Sequence, residues 1–169
     1  MKSKTKDMIL CGIFAAIICI CSIISLPIGA VPVTLGTFGV MVTSSVLGVK
    51  RGVMSVMVFV LIGAVGLPVF SGFHGGVGVL TGPTGGYITG YILMPLVAGL
   101  GSEKSLLKGT LCNGASNLMC YIVGTVQYAL VTGASLQAAI TLCVAPFILI
   151  DIAKSFGAAL LSQSIKKHI

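Results

Sequence analysis

The sequence predicts an all-α membrane protein that crosses the bilayer six times, and three observations predict it. Hydrophobic residues make up 56% of the chain and charged residues only 8%, against about 25% charged in a soluble domain. The apolar residues fall into runs, most of them near the roughly 17–25 residues of a membrane span. The basic residues fall into four groups at alternate ends of those runs: Lys2/Lys4/Lys6, Lys50/Arg51, Lys104/Lys108 and Lys166/Lys167. The other three connections carry no Lys or Arg. The positive-inside rule then sets both termini in the cytoplasm. The net charge of +7 is therefore a topology signal and needs no nucleic-acid partner. Residues 1–169 are expected to form a single membrane domain.

Helix 1 is expected over 8–26, after the three N-terminal lysines. A secretory signal starts similarly, but its apolar core is shorter and ends at a small-residue cleavage site, which does not stand out here. Gly12, Ala15 and Ala16 give this helix small residues that let another helix approach closely. The uncharged break at 27–34 ends it and closes on Thr34. Helix 2, over 35–49, is shorter than a usual span, so part of the neighbouring loop is expected at membrane depth, buried in protein. Lys50-Arg51-Gly52 separates it from helix 3, over 53–69.

The connection from Ser71 to Gly86 is long, rich in glycine and free of charge. It has neither the G-x-x-x-x-G-K-[ST] of a phosphate-cradling loop nor a complete G-x-G-x-x-G. Its Phe73, Val77, Val79 and Leu80 suggest a loop packed over the helices. Helix 4 is expected over 85–100, with Gly82, Gly86 and Gly90 forming a flat packing face. Helix 5, over 108–131, carries Asn113, Asn117 and Gln127, amides that usually cross-link helices. A short outer helix over 134–144 precedes the last helix, over 146–166, where Pro146 sits at the first turn.

That last helix holds the most informative residues. Asp151 is one of only three acidic residues in the chain, and with Lys154 it lies inside an apolar run. A charge at membrane depth costs about 2.5–3.5 kcal/mol on insertion scales and is functional by default. Three residues apart, the two side chains share a helix face. The bland alternative is a buried pair that only fixes packing. With the uncharged connections outside, the pair forms the polar floor of a binding site under an apolar lid. His74, Thr81, Tyr87, Thr34 and Asn117 are the polar residues that can join it. His74 can equally be a hydrogen-bonded loop residue, and Tyr87 an interface anchor. The chain lacks Trp, so its four tyrosines are assigned the interfacial role. The six cysteines, at 11, 19, 21, 112, 120 and 143, are read as packing residues rather than ligands or a disulfide framework. No metal or cofactor is expected.

Four stretches, in chain order, resemble the BioY family: 31–40, 63–70, Gly82-Pro83-Thr84-Gly85-Gly86-Tyr87, and Pro146-Phe147 followed by Asp151-x-x-Lys154. BioY proteins are the biotin-binding S-components of energy-coupling factor (ECF) vitamin transporters. The resemblance implies a six-helix protein of the bacterial plasma membrane that captures biotin at the outer face and topples to release it inside. It implies contact of Asp151 and Lys154 with biotin, under caps formed by the first and third connections. It also implies docking through Gly12, Ala15 and Ala16 on a transmembrane coupling protein joined to two ATPases. The chemistry agrees: a ureido ring offers two N–H groups to a carboxylate and a C=O to an ammonium, in short charge-assisted bonds. The apolar bicycle and valeryl tail suit Phe73, Val79 and Tyr87. Two departures stand out. Ile150 occupies the place of a family glycine, and no Arg lies near helix 4. This leaves the partner of the biotin carboxylate open among His74, Thr81, Tyr87 and Lys154.

A proton-coupled secondary transporter, with Asp151 titrating beside Lys154, is the alternative. No internal repeat supports it. An intramembrane enzyme is disfavoured, because neither His74 nor His168 falls within a helix. With no phosphate-cradling loop, any ATP-driven step needs a partner.

Overall fold

The computed structural model describes residues 2–27, 31–101 and 105–168, with side chains from Lys4 onward. Ser102, Glu103 and Lys104, part of the expected fourth break, lie outside the described residues, as do Ile28, Gly29 and Ala30 of the first.

Helix α1 (Lys2–Ile23) leads into a two-residue antiparallel hairpin, β1 (Ser25–Leu26) with β2 (Val33–Thr34), paired Ser25 to Thr34 and Leu26 to Val33. Apart from this hairpin and a Phe70–His74 bridge, the described residues are helix and turn. α2 (Gly36–Ala64) is unbroken in sequence but not in shape. Gly48 takes φ 78° and ψ −179°, a conformation that essentially only glycine adopts. A Cβ on Gly52 would lie 3.2 Å from Ser44 Cα, whereas eight residues of straight helix span about 12 Å. The chain therefore reverses at Gly48, and the arms 36–47 and 49–64 run side by side. The break expected from the charges is at Lys50-Arg51-Gly52. The reversal comes earlier because it needs a glycine conformation rather than a charge. The first arm is about 18 Å long at 1.5 Å per residue, short of the roughly 30 Å hydrocarbon core.

Past α2 the chain makes a 3-10 turn (Ser71–Phe73), then α3 (Val77–Thr81), α4 (Gly85–Gly90) and α5 (Met94–Ala98), ending in a second 3-10 turn (Gly99–Gly101). The continuous helix expected over 85–100 is thus broken at 91–93. Pro95 explains the break: it has no N–H for the Tyr91 carbonyl and its ring crowds that carbonyl. α6 (Leu106–Thr132) ends where Gly133 takes a left-handed conformation and returns its N–H to Ala129 O at 3.0 Å. α7 (Leu136–Cys143) starts on Ser135, whose Oγ accepts from Ala138 N. α8 (Ile148–Lys166) starts two residues later than expected, so Asp151 falls in its first turn. A carboxylate is favoured there by the helix dipole.

α2 and α6 are the centre of the bundle. α1 lies along α2, α4 and α5 pack on α6, α5 also meets α2, and α8 touches both α2 and α6. Lipid is as apolar as leucine, so close approach rather than water exclusion holds such helices. Gly86 and Gly90 give that approach: a Cβ on Gly86 would lie 2.7 Å from Val123 O, and one on Gly90 3.1 Å from Cys120 Cα. Gly82 does not belong to this face; it caps α3. The core joins Phe14 and Ile18 of α1 to Met41, Val56 and Phe59 of α2, and Phe59 meets Phe70 edge-on at 5.5 Å. All six cysteines are free.

Exposed apolar side chains cover the outside: Ile9, Ile13 and Ile20 on α1, Leu107, Leu111, Leu118 and Ile122 along one face of α6, and Leu149, Ile152 and Phe156 on α8. Lys4–Ile23, Gly36–Ala64 and Ile148–Lys166 are long and apolar enough to cross a membrane. The protein is a membrane protein.

Candidate functional site

One end of the bundle encloses a cavity of about 500 Å³, within the roughly 300–1,000 Å³ of small-molecule sites. Its walls come from every part of the chain: Val31, Pro32 and Thr34 beside the hairpin, Thr37 on α2, Phe70, His74 and Val79 from the third connection, Tyr87 and Tyr91 from α4 and its turn, Tyr121 on α6, and Phe147, Asp151 and Lys154 around the start of α8. Most of the surface is apolar, and the polar groups converge on Asp151.

Asp151 is 5% exposed. Its Oδ2 accepts a short hydrogen bond from the Tyr121 hydroxyl. Its Oδ1 lies 2.9 Å from Lys154 Nζ as an ion pair, with no hydrogen bond between them. Among the described residues Oδ1 has no aligned donor. Lys154 Nζ instead donates to Thr34 O at 2.8 Å and Thr37 Oγ1 at 3.3 Å. These two acceptors take two of the ammonium's three N–H groups. The ammonium ties α8 to the start of α2, and the Thr37 hydroxyl keeps its own proton for another acceptor. Tyr91 OH and Thr34 Oγ1 share a hydrogen bond of 3.1 Å beside it. Asp151 and Lys154 are the only groups of fixed opposite charge in the lining, so the floor is dipolar with no net charge.

The third connection is a built wall. Phe70 is fully buried because Gly63 leaves room for it: a Cβ there would come 2.1 Å from the Phe70 ring. Gln127 Nε2 of α6 holds the far side of the loop, donating to Leu80 O at 2.7 Å and Gly82 O at 2.9 Å. Phe73 has φ 60°, the only positive φ at a non-glycine among the described residues, and this conformation is costly for an aromatic residue. Cys143 is buried at the rim, and that burial raises its thiol above the usual cysteine value. It remains a neutral packing group.

Residues 1–169 match the sequence profile of the BioY family. The chain belongs to the BioY family. It is 40% identical to the biotin transporter BioY of Thermotoga maritima, over 96% of each chain. It is 36% identical to a probable biotin transporter BioY of Pyrococcus horikoshii, over 96% of this chain and 98% of that one. Its fold matches the crystal structure of the S-component for biotin from an ECF-type ABC transporter, with TM-score 0.90, 24% identity, and coverage of 99% of this chain and 94% of that one.

Within this BioY chain, the structure brings five of the seven expected site residues to the cavity: Asp151, Lys154, Tyr87, His74 and Thr34. Tyr87 is held by Thr125 Oγ1 at 3.3 Å and Cys143 O at 3.4 Å, so it is a wall residue and not an interface anchor. His74 Nδ1 pairs with Ser71 O at 2.9 Å. Two of the expected residues lie outside the lining. Thr81 is absent from the lining and turns its hydroxyl back to Val77 O and Gly78 O within α3. Asn117 of α6 meets α8 one turn past Asp151, its Nδ2 on Ser155 Oγ and on Met41 Sδ, and it supports the floor without lining it. Phe73 is 69% exposed and outside the lining; Phe70 has the place expected for it. On α1, Gly12 and Ala16 face outward, but Ala15 is 1% exposed and turned into the bundle, so it cannot form part of an outward face.

Tyr121, Tyr91 and Thr37 were missed. A signal existed for Tyr121: Asn113, Asn117 and Tyr121 stand four apart on one face of α6. Thr37 likewise follows Thr34 by one helical step.

Proposed function

We propose that this protein is the biotin-binding S-component of an ECF-type transporter, which captures biotin at the outer face of the plasma membrane. The observation that carries the proposal is the buried Oδ1 of Asp151, an anionic acceptor on a cavity wall with no aligned donor among the described residues. A ureido N–H supplies that donor. The ureido C=O is met by the Thr37 and Tyr91 hydroxyls beside the Lys154 ammonium. The apolar walls, Phe70, Val79, Tyr87 and Phe147, take the bicycle and valeryl chain, and His74 takes the carboxylate. The names of the relatives, biotin transporters, support this substrate.

The proposal includes six crossings in one membrane domain: α1, the two arms of α2, the broken segment 85–101, α6 and α8, with both termini cytoplasmic. The grouped basic residues support it. The cavity then opens outward. Release inside is driven by a transmembrane coupling protein with two ATPases, docked on the outward-facing Gly12 and Ala16 of α1.

The test is calorimetry of the purified protein in detergent with biotin, beside riboflavin and thiamine. Tight binding of biotin alone supports the proposal. Folded protein that binds none, or binds all three alike, overturns it.

A further inference from the structure

The cavity treats the two ends of a long ligand differently. Its two fixed charges, Asp151 and Lys154, lie together at the floor. The exposed residues of the lining, Pro27, Gly72, His74, Gly78 and Pro83, mark its mouth, on the first and third connections. Among the described residues the mouth holds no Lys or Arg.

The side chains expected to meet a carboxylate have their donors committed elsewhere. His74 Nδ1 is 2.9 Å from Ser71 O, and a carbonyl only accepts, so Nδ1 carries the ring proton. Tyr87 donates its hydroxyl proton to Cys143 O at 3.4 Å. Thr81 turns its hydroxyl back into α3 and lies outside the lining. Lys154 gives two N–H groups to Thr34 and Thr37, and its charge faces Asp151.

What remains at the mouth is an acceptor. With its proton on Nδ1, the neutral His74 ring presents a lone pair at Nε2. Toward a carboxylate this nitrogen must first take up a proton; toward an amide N–H it accepts as it stands. The lining hydroxyls of Ser71 and Thr84 are uncharged and serve an amide oxygen as well as a carboxylate.

We propose that the cavity also takes biotin whose carboxylate is capped as an amide, the linkage that joins biotin to an amine such as a lysine side chain. His74 Nε2 accepts from the amide N–H. His74 is exposed, so a substituent on the amide nitrogen runs past it into water. The inference rests on the function proposed above, which sets the ureido ring at the floor and the valeryl end at His74. It widens the substrate class from a vitamin acid to its neutral amides.

Calorimetry of the full-length protein in detergent, with biotin, biotinamide and biotin methyl ester, tests this. Biotinamide is expected to bind within about tenfold of biotin, because an exposed charge contact is worth little. A larger loss overturns the proposal, since it means that a buried cation such as Lys154 holds the carboxylate. The ester has no N–H, so it should bind about threefold more weakly than the amide. An ester equal to the amide overturns the role of His74. His74→Ala should remove the preference for amide over ester, and a preference that survives it overturns that role as well. If the variant fails to fold, the wild-type comparison of amide and ester decides. A folded wild type that binds none of the three overturns the function proposed above. One that binds biotin and rejects the amide overturns only the widened substrate class.

Discussion

The two carboxylate oxygens of Asp151 are held differently. Oδ2 belongs to the protein through Tyr121, and Oδ1 faces an ammonium already engaged elsewhere. Asp151→Asn keeps the shape and removes the charge, so biotin binding should weaken about tenfold to a hundredfold, the worth of a hydrogen bond to a charged group. Calorimetry on the membrane-extracted protein reads this, and an unchanged affinity removes Asp151 as a ligand. Tyr121→Phe leaves Oδ2 without its donor. About 1–3 kcal/mol of stability should go with it, seen as a lower Tm in detergent; an unchanged Tm means the hydroxyl is not a positioning group. The sequence made Asp151 and Lys154 legible because a charge in an apolar run is costly and seldom persists without a task. It left Tyr121 illegible because a tyrosine suits a lipid interface as well as a pocket wall. Thr81 misled because a threonine near a helix end satisfies its hydroxyl on the backbone three or four residues back, and nothing in its spacing reveals that.

At the scale of the element, Gly48 is the residue on which α2 turns. Gly48→Ala puts a side chain at φ 78°, ψ −179°, which should cost about 1–3 kcal/mol. Gly114→Ala, mid-helix in α6 with nothing within 4 Å of the added Cβ, should instead be neutral or slightly stabilising. Thermal unfolding of the two variants side by side reads the contrast, and equal Tm values would reject the strained reversal. The long helices were legible: the sequence set α6 at 108–131 and the structure has Leu106–Thr132. The reversal was legible only as a break of some kind, since charge marks where a helix leaves the membrane and not which peptide unit bends. The interruption at 91–93 follows from Pro95, which the apolar continuity from Gly85 to Leu100 masks in the sequence.

For the whole molecule, orientation and assembly are the questions. An impermeant maleimide should label Gln137→Cys in intact cells and Lys167→Cys only after permeabilisation; the reverse pattern would invert the proposed topology. Gly12→Leu with Ala16→Leu should abolish biotin uptake by cells while leaving binding to purified protein intact. Uptake that survives would mean α1 docks nothing through this face. The Asp151–Lys154 pair also has an electrical consequence. Its charges cancel, so the empty site carries no gating charge, and its return across the membrane should be indifferent to voltage. Loaded with biotin, the site holds one negative charge from the carboxylate. Carrying that charge inward against 100 mV, negative inside, costs about 2.3 kcal/mol. On the function proposed above, the membrane potential therefore opposes inward transfer of the loaded site, the step assigned there to the ATPases.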